Sequence, residues 1–307
     1  MWPELYSVII PLYRSEGTIA DVVDEVTTSL VQAGVSRYEI ILVNDCSPDR
    51  VVDVATRLAQ TNHHIVVLDL AKNVGQERAC LAGYEYASGD YIINLDDDMQ
   101  TPGTEVANLI RTIHERDDDI VFASYTAQEG KRPLVRRIGT WLNWRMAEVM
   151  MGKPRGLETN SFLIMKRFVR DNIVRFSCHD MYTFGVMFAS TSHMSNLPMI
   201  HRKRAMGVSG NSFRKLVRLW LSGVIGFSMR LLRLLWVLVL VSSALSIILA
   251  YIDCRPSALL PVLLVSLVAI CLTGEYVGRL YLESEGLPMY TVRRVIKFGE
   301  ERPSNDC

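Results

Sequence analysis

The stretch Asp90–Pro102 reads DYIINLDDDMQTP and places three consecutive aspartates directly after a short apolar run. An apolar run of this length between polar residues is typical of a strand that is buried on both faces. Because an extended backbone points alternate side chains the same way, Asp96 and Asp98 are predicted to share one side. With the amide oxygen of Gln100, they offer the oxygen ligands that Mg²⁺ and Mn²⁺ prefer. A solvated acidic turn is the alternative interpretation.

The sequence before the aspartates alternates between strand-like and helix-like segments. In chain order these segments are Tyr6–Pro11, Thr18–Ala33, Glu39–Val43, Asp49–Gln60, His64–Leu70, Gly75–Ala87 and Asp90–Leu95. The alternation predicts an α/β fold with a Rossmann-like, mostly parallel sheet and helices on both faces. Ligands of such sheets bind at the carboxyl ends of the strands, where the aspartates lie. The sequence contains neither GxGxxG nor GxxxxGK[ST], which disfavours a dinucleotide cofactor and an ATPase.

Charge and cysteine usage narrow the class of protein. The formal net charge is zero, which argues against a nucleic-acid partner. The charges are nevertheless unevenly distributed, since acidic residues predominate up to Asp119 and basic residues predominate from Ile120 to Arg233. This asymmetry predicts one site for a cation and another for anions. The cysteines form no CxxC pair, which favours a reducing compartment over a disulfide framework.

Two neighbouring apolar stretches predict a transmembrane helical hairpin. Residues 234–252 and 257–274 carry no charged side chain, and each approaches the ~20 apolar residues that a membrane-spanning helix needs. With its flanks, the hairpin occupies residues 233–276. Arginines precede the first span and follow the second, so the positive-inside tendency places the domain 1–211, the tail 277–307 and both termini in the cytoplasm. Two buried core helices are the alternative.

The segment before the hairpin predicts an amphipathic helix in the lipid headgroup layer. Residues 212–232 begin with basic residues, including Arg214 and Lys215, and continue with apolar residues at helical spacing. No Asp or Glu occurs between Met181 and Ile252, a composition that anionic lipid headgroups would favour. A solvated connecting helix is the alternative.

Several motifs together resemble the family 2 glycosyltransferases with the GT-A fold. The resemblance is carried by VIIPLYRSEGTI, by VNDCSPD and by the run from Lys72 to Pro102, and it extends to about Arg204. The segment GEYVGRLYLESEGLPMYTVRR, which follows the two apolar stretches, resembles the tail of the polyisoprenyl-phosphate glycosyltransferases. That branch includes bactoprenol glucosyltransferases, dolichol-phosphate mannose synthases and undecaprenyl-phosphate aminoarabinose transferases.

The resemblance implies an enzyme that transfers one sugar, with inversion, from a nucleotide-sugar to a polyprenyl phosphate such as undecaprenyl phosphate. It also implies a divalent cation, Mg²⁺ or Mn²⁺, and a homo-oligomer, a tetramer in relatives, at the cytoplasmic face of the inner membrane. The product would serve the modification of cell-envelope glycans or lipopolysaccharide. The sugar stays open among glucose, N-acetylhexosamine, mannose and aminoarabinose. A UDP-sugar is favoured, because a carboxylate suits a uracil N–H.

The resemblance also assigns residues to the two substrates and the cation. The nucleotide-sugar residues are Pro11, Tyr13, Glu16, Asp45, Asn73, Asp96 and Asp97. The metal ligands are Asp96, Asp98 and Gln100. The acceptor-phosphate residues are Arg132, Arg136, Arg137 and Arg202, since arginine binds phosphate through paired hydrogen bonds. For Pro11 and Glu16 a purely structural role is the alternative.

The catalytic set is predicted to be Asp96, Asp98, Glu158 and Arg137. Glu158 begins ETNSF, where relatives carry a D-x-G-x-F pattern, and is the candidate base or acceptor-orienting group. His179 and Asp180 are a second candidate pair, for which a capped turn is the alternative. A strong base is not required, because a phosphate monoester with a second pKa near ~6 is largely ionised at neutral pH.

Two rival functions lead to different expectations. A processive polysaccharide synthase would carry a QxxRW motif and more spans, and the sequence has neither. A catalytically silent membrane scaffold could still bind a nucleotide-sugar. The intact set of Asp96, Asp98 and Gln100 argues against the scaffold.

Overall fold

A computed structural model describes residues 2–100, 102–125, 145, 147–149, 151–176, 182–199, 230–253 and 259–303. The strands are β1 Tyr6–Leu12, β2 Tyr38–Asn44, β3 Ile65–Leu70, β4 Tyr91–Asn94, β5 Ile120–Tyr125, β6 Leu163–Lys166, β7 Met194–Met199, β8 Val292–Lys297 and β9 Glu300–Pro303. The helices are α1 Ile19–Gln32, α2 Val51–Thr61, α3 Gln76–Tyr86, α4 Val106–Arg116, α5 Arg167–Arg175, α6 Thr183–Ser190, α7 Arg230–Asp253 and α8 Leu260–Ser284. From β1 to β4 the elements alternate as predicted.

The strands form one mixed sheet in the order β7-β5-β6-β4-β1-β2-β3-β8-β9. At its centre, β4, β1, β2 and β3 pair in parallel. β6 runs antiparallel to β4 and β5, and β8 runs antiparallel to β3 and β9. The prediction of a mostly parallel sheet is therefore corrected to a mixed sheet, because each reversed strand makes two antiparallel pairs.

Helices cover both faces of the sheet. In β1, Val8 and Ile10 belong to the core cluster that also contains residues of α1, α2 and α4. Ile9, between them, belongs to a second cluster with residues of α3, α5 and α6. Every residue of β1 is buried. The apolar runs thus form strands that are buried on both faces, as the sequence predicts.

Helix α3 lies unusually close to the sheet. A Cβ atom on Gly83 would come within 2.5 Å of Ile9 Cγ2 and 3.2 Å of Val43 Cγ2, so only glycine fits there. The close approach fixes α3 on the central strands, and its first residues, Gln76 and Glu77, lie beyond the end of β3. The start of α3 is therefore held at the carboxyl edge of the parallel strands.

Two long apolar helices, α7 and α8, pack against each other. Many of their large apolar side chains are exposed, for example Leu240 at 69% and Ile270 at 68%. Within α8, Leu260–Leu282 has 23 residues and a mean hydropathy of 2.0, and it is the one stretch of the described residues that is long and apolar enough to cross a membrane. The apolar part of α7, Arg233–Leu249, is shorter.

The predicted membrane segments fall only partly on described residues. The span predicted at 234–252 lies within α7, and most of the span predicted at 257–274 lies within α8. Of the predicted amphipathic helix, residues 230–232 form the start of α7, and residues 212–229 lie outside the described part of the chain.

The last residue of β7, before α7, and the first residue of β8, after α8, lie at the same edge of the sheet. β7 is parallel to β5, and both run in the direction of β4, so Met199 ends β7 on the edge where β4 ends. The chain that returns from α8 enters the sheet at Val292, which pairs with Leu70, the last residue of β3. The carboxyl edge therefore carries the aspartates and also the points at which the chain leaves the sheet before α7 and re-enters it after α8.

An ion pair links β8, the first strand after α8, to β3. Arg294 Nε donates to Asp69 Oδ2 at 2.9 Å, and Asn44 Nδ2 donates to Asp69 Oδ1 at 2.7 Å. Asp69 is only 3% exposed. Residues of the predicted tail 277–307 thus complete the sheet of the N-terminal domain.

Candidate active site

The acidic cluster directly follows β4, as the sequence predicts. Asp96 Oδ1 accepts a hydrogen bond from Gln76 Nε2 at 2.7 Å, and Asp96 Oδ2 accepts one from the Ser161 hydroxyl. Gln76 is the first residue of α3, and Ser161 lies just before β6. One carboxylate therefore joins three elements at the carboxyl edge.

The next two aspartates have different surroundings. Asp97 Oδ2 accepts the backbone amide of Tyr13 at 2.9 Å, and burial raises the pKa of Asp97 from 3.8 to about 6. Asp98 Oδ1 accepts the backbone amide of Gln100 at 3.1 Å. Asp97 therefore holds the loop after β1, whereas Asp98 belongs to the turn that follows the cluster.

The predicted metal ligands suit a divalent cation when a ligand adds further oxygens. Across the described ranges, no group of three or more His, Cys, Asp or Glu side chains is arranged to hold a metal ion. Asp96, Asp98 and Gln100 offer two carboxylates and one amide oxygen. Because Mg²⁺ is usually bound by one or two carboxylates together with phosphate oxygens and water, this donor set fits such an ion beside a diphosphate.

Asp45 ties the end of β2 to the loop after β3. Its Oδ1 accepts the amide of Val74 at 2.7 Å, and its Oδ2 accepts the amide of Gly75 at 2.9 Å. Asn73 Nδ2 donates to the Asp45 carbonyl oxygen at 2.9 Å. Burial raises the pKa of Asp45, although the two amide hydrogen bonds act in the opposite direction. The predicted donor residues Asp45 and Asn73 thus lie together.

The end of β1 and the loop after it carry the other predicted donor residues. Pro11 lies in β1. Tyr13 is 46% exposed, and the Arg14 guanidinium carbon lies 5.5 Å from the centroid of its ring. Glu16 Oε2 accepts the amide of Arg50, just before α2, at 3.1 Å. Tyr13 therefore presents an aromatic ring at the surface, whereas Glu16 joins the loops after β1 and β2.

A cavity of about 400 Å³ opens beside Asp96. It is bounded by α3, the end of β4, the segment before β6 and the start of α6. Its lining residues are Gln76, Glu77, Cys80, Tyr84, Asn94, Asp96, Thr159, Asn160, Ser161, Leu163, Thr183, Phe184 and Met187. A group bound at Asp96 would extend directly into this space.

Sequence reasoning missed Glu77, which lines the cavity. Glu77 Oε2 accepts the hydroxyl of Thr183 at 2.8 Å and the amide of Thr183 at 3.3 Å. Burial raises the pKa of Glu77. The one signal in the sequence was its position in the first turn of the predicted helix Gly75–Ala87, where an acidic residue is ordinary.

Glu158, the candidate base, is held beside β5 and β7. Its Oε2 accepts the Ser124 hydroxyl at 2.6 Å, and its amide donates to Asn196 Oδ1 at 2.8 Å. The lining of the cavity includes the next residue, Thr159. The structure thus brings Ser161, rather than Glu158, into contact with Asp96.

The predicted acceptor-phosphate residues lie outside the described part of the chain. This set comprises Arg132, Arg136, Arg137 and Arg202. The alternative pair His179 and Asp180 also lies outside it.

The fold is similar to those of two solved sugar-transferring enzymes. Glucosyl-3-phosphoglycerate synthase from Mycobacterium tuberculosis, in complex with Mn²⁺, uridine-diphosphate and phosphoglyceric acid, matches with a TM-score of 0.52 and 13% identity, covering 73% of this chain and 77% of that chain. Mannosyl-3-phosphoglycerate synthase from Rubrobacter xylanophilus matches with a TM-score of 0.50 and 13% identity, covering 74% of each chain. These matches identify a mixed α/β sheet of GT-A type.

Relatives in sequence extend over nearly the whole chain. An undecaprenyl-phosphate 4-deoxy-4-formamido-L-arabinose transferase from Yersinia pestis (strain Pestoides F) is 28% identical over 322 residues, covering 98% of this chain and 95% of its own. The protein of the same name from Photorhabdus laumondii subsp. laumondii is 28% identical over 312 residues, covering 94% of each. Residues 7–188, more than half of the chain, match the family described as glycosyl transferase family 2. The chain therefore belongs to glycosyl transferase family 2, and it is a glycosyltransferase.

Proposed function

We propose that the protein transfers one sugar, with inversion, from a UDP-sugar to a polyprenyl phosphate at the cytoplasmic face of the inner membrane. The product is a lipid-phosphate-linked sugar for the modification of cell-envelope glycans or lipopolysaccharide. One observation carries the proposal: the aspartates lie on the sheet edge from which the chain leaves for, and returns from, the two apolar helices.

The exposed apolar surface of α7 and α8 supports a membrane-bound enzyme. α8 is long enough to cross a bilayer, and α7 packs beside it. A hydrocarbon layer would cover the large apolar side chains that both helices leave exposed. We therefore infer a two-span hairpin, with Arg233 before it and Arg293 after it on the cytoplasmic side.

The position of the hairpin favours a lipid-linked acceptor. A phosphate on a polyprenyl chain lies at the membrane surface, and the short link from Ser284, at the end of α8, to Val292, at the start of β8, would keep the carboxyl edge of the sheet near that surface. The relatives that match nearly the whole chain are named as undecaprenyl-phosphate sugar transferases, which supports the same class of acceptor here. We assign its phosphate to Arg132, Arg136, Arg137 and Arg202.

The acidic cluster suits the departure of the nucleotide. As the glycosidic bond breaks, negative charge develops on the diphosphate, and a bound divalent cation would neutralise that charge. Asp96, Asp98 and Gln100 would hold the cation. Gln76 and Ser161 fix the orientation of the Asp96 carboxylate through hydrogen bonds to its two oxygens.

The acceptor needs positioning more than it needs a base. Its phosphate is largely ionised at neutral pH, since the second pKa of such a monoester is near ~6. Arginines that hold the phosphate in line with the anomeric carbon would then supply much of the rate enhancement. Glu158 stays a candidate for orienting the acceptor.

The nucleotide is proposed to lie across the loops after β1, β2 and β3. Tyr13 offers an exposed ring for stacking on the base, and Asp45 and Asn73 lie together at the adjoining loops. A solved enzyme of similar fold contains UDP and Mn²⁺, which supports a uridine nucleotide and a divalent cation here.

The proposal is tested with full-length protein in lipid nanodiscs that contain undecaprenyl phosphate. Radiolabelled UDP-sugars are added one at a time with MgCl₂ or MnCl₂, and the extracted lipid is analysed by mass spectrometry. We expect a lipid-phosphate-linked sugar from one donor, and its loss when EDTA is present. Binding of UDP without a lipid product from any nucleotide-sugar would instead support the silent scaffold.

A further inference from the structure

We propose that Glu77 selects the donor sugar by accepting a hydrogen bond from a hydroxyl or amide N–H group of that sugar within the cavity beside Asp96. The inference rests on the proposed function, because it requires the sugar of a nucleotide-sugar to occupy this cavity. It names a specificity-determining residue and the kind of group that this residue recognises.

The first argument is the position of Glu77. Its neighbour in sequence, Gln76, donates to Asp96 at 2.7 Å, and both residues line the cavity that opens beside Asp96. If Asp96 binds the diphosphate through a cation, the sugar attached to that diphosphate must lie within a few bonds of Asp96. The cavity beside Asp96 offers space for it there.

The second argument is the way in which the carboxylate is held. Thr183 donates both its hydroxyl and its amide to Oε2 of Glu77. The oxygen Oε1 is not engaged by Thr183, and Glu77 lines the cavity. The two hydrogen bonds to Oε2 fix the orientation of the carboxylate and so the direction in which Oε1 points. A residue that recognises a ligand needs such a fixed orientation.

The third argument is energetic. Glu77 is partly buried, and Phe184 and Met187 are apolar members of the same lining. This burial raises the pKa of Glu77, because it solvates the carboxylate less well than water does. A poorly solvated carboxylate gains most from a ligand that donates a hydrogen bond to it. A sugar hydroxyl or amide N–H provides this donor.

Other polar side chains that line the cavity form hydrogen bonds with one another. The Tyr84 hydroxyl donates to Asn94 Oδ1 at 3.3 Å, and Asn94 Nδ2 donates to the Ser161 carbonyl oxygen at 2.8 Å. The Ser161 hydroxyl donates to Asp96. Glu77 is therefore well suited to distinguish one sugar from another in this cavity.

The test compares wild type with Glu77→Gln and with Glu85→Gln. Glu85 is a matched control, because it lies on the same helix, is exposed and bonds to the Tyr290 hydroxyl. Nanodiscs with undecaprenyl phosphate are supplied with UDP-glucose, UDP-galactose, UDP-xylose, UDP-N-acetylglucosamine, UDP-4-amino-4-deoxy-L-arabinose or its N-formyl form to find the best donor. Deoxy analogues of that donor, and its des-acetamido form where it carries an N-acetyl group, then remove one hydrogen-bonding group at a time.

In wild type, we expect one analogue to lose about 10- to 100-fold in kcat/KM, the value of a hydrogen bond to a charged group. In E77Q, the complete donor should lose a similar factor, and removing the same group should cost little more, because the two changes disrupt one contact. E85Q should behave as wild type. Binding of UDP with MnCl₂, measured by calorimetry, should be the same in all three proteins.

Four results bear on the outcome in different ways. Equal analogue penalties in wild type and E77Q would overturn the inference, as would a uniform loss of kcat for every donor, which would make Glu77 part of the chemistry. Should E77Q fail to fold, Glu77→Asp, which retracts the carboxylate by one methylene, must show a reduced penalty for the same analogue. If wild type gives no lipid product from any donor, the proposed function itself fails.

Discussion

At the scale of single residues, the consecutive aspartates after β4 differ because each meets a different neighbour. Asp96 is oriented by side chains from two other elements, Gln76 and Ser161. Asp97 is fixed to the amide of Tyr13, and Asp98 to the amide of Gln100. Their contributions to ligand binding, stability and local turn structure can therefore be separated by single substitutions.

Replacing Asp96 with Asn should reduce kcat about 10²- to 10³-fold, comparable to the loss of one group that stabilises the developing charge. The amide keeps an oxygen for one of the two neighbours of Asp96, so the protein should still fold. Turnover of the best UDP-sugar at saturating MnCl₂ is the measurement. Asp24→Asn, on an exposed position of α1, is the control, and wild-type turnover by D96N would contradict the predicted role.

Asp97 should give the metal-free protein a distinctive dependence of stability on pH. Because burial raises its pKa from 3.8 to about 6, the native state binds more protons than the unfolded chain between those values. The free energy of unfolding should therefore fall as pH rises through this window, relative to Asp97→Asn, by at most about 3 kcal/mol. Melting temperatures of both proteins in EDTA test this, and parallel pH profiles would refute it.

At the scale of secondary-structure elements, β8 should contribute to stability through Arg294. Replacing Arg294 with Met leaves the buried carboxylate of Asp69, among the residues that the structure describes, with Asn44 as its side-chain donor, which should cost about 1–3 kcal/mol. Arg293→Met is the control, since Arg293 is exposed and bonds to the carbonyl oxygen of Ala71.

The melting temperatures of R294M and R293M test whether Arg294 stabilises β8. Adding Asp69→Asn to Arg294→Met should recover part of the loss, because the uncompensated charge is then removed. Equal melting temperatures for R293M and R294M would show that the pair does not hold β8.

The elements that sequence reasoning located well are those specified by local pattern. Tyr6–Leu12 and Tyr91–Asn94 are apolar runs buried on both faces, and the polar residues after them mark the edge of the sheet. Strand β8 escaped prediction because its sequence, VRRVIK, is half basic and its partner β3 lies more than 200 residues earlier in the chain. The contact between Glu77 and Thr183 spans 106 residues and is invisible to local patterns for the same reason.

At the scale of the whole molecule, the exposed apolar faces of α7 and α8 should require a bilayer. Ile270→Lys places a charge near the middle of Leu260–Leu282 and should cost about 2.5–3.5 kcal/mol of insertion free energy. Tyr281→Lys, near the end of the same stretch, should cost much less, because a lysine there can reach the interface.

Carbonate extraction of membranes and a glycosylation-based insertion assay distinguish the two variants. Both replaced side chains are well exposed, 68% for Ile270 and 62% for Tyr281, so packing within the protein contributes little to the difference. Equal insertion of I270K and Y281K would show that α8 does not cross the membrane.

The position of β8 near the end of the sequence also determines the order in which the sheet can form during synthesis. β3 is synthesised early, yet its neighbour on one side is encoded after α7 and α8. Until the ribosome has passed residue 297, β3 presents unpaired backbone groups along one edge, a surface prone to pairing with other chains. β8 can therefore close this edge only after α7 and α8 have been synthesised, so a chain truncated before Val292 is left with an open, aggregation-prone strand.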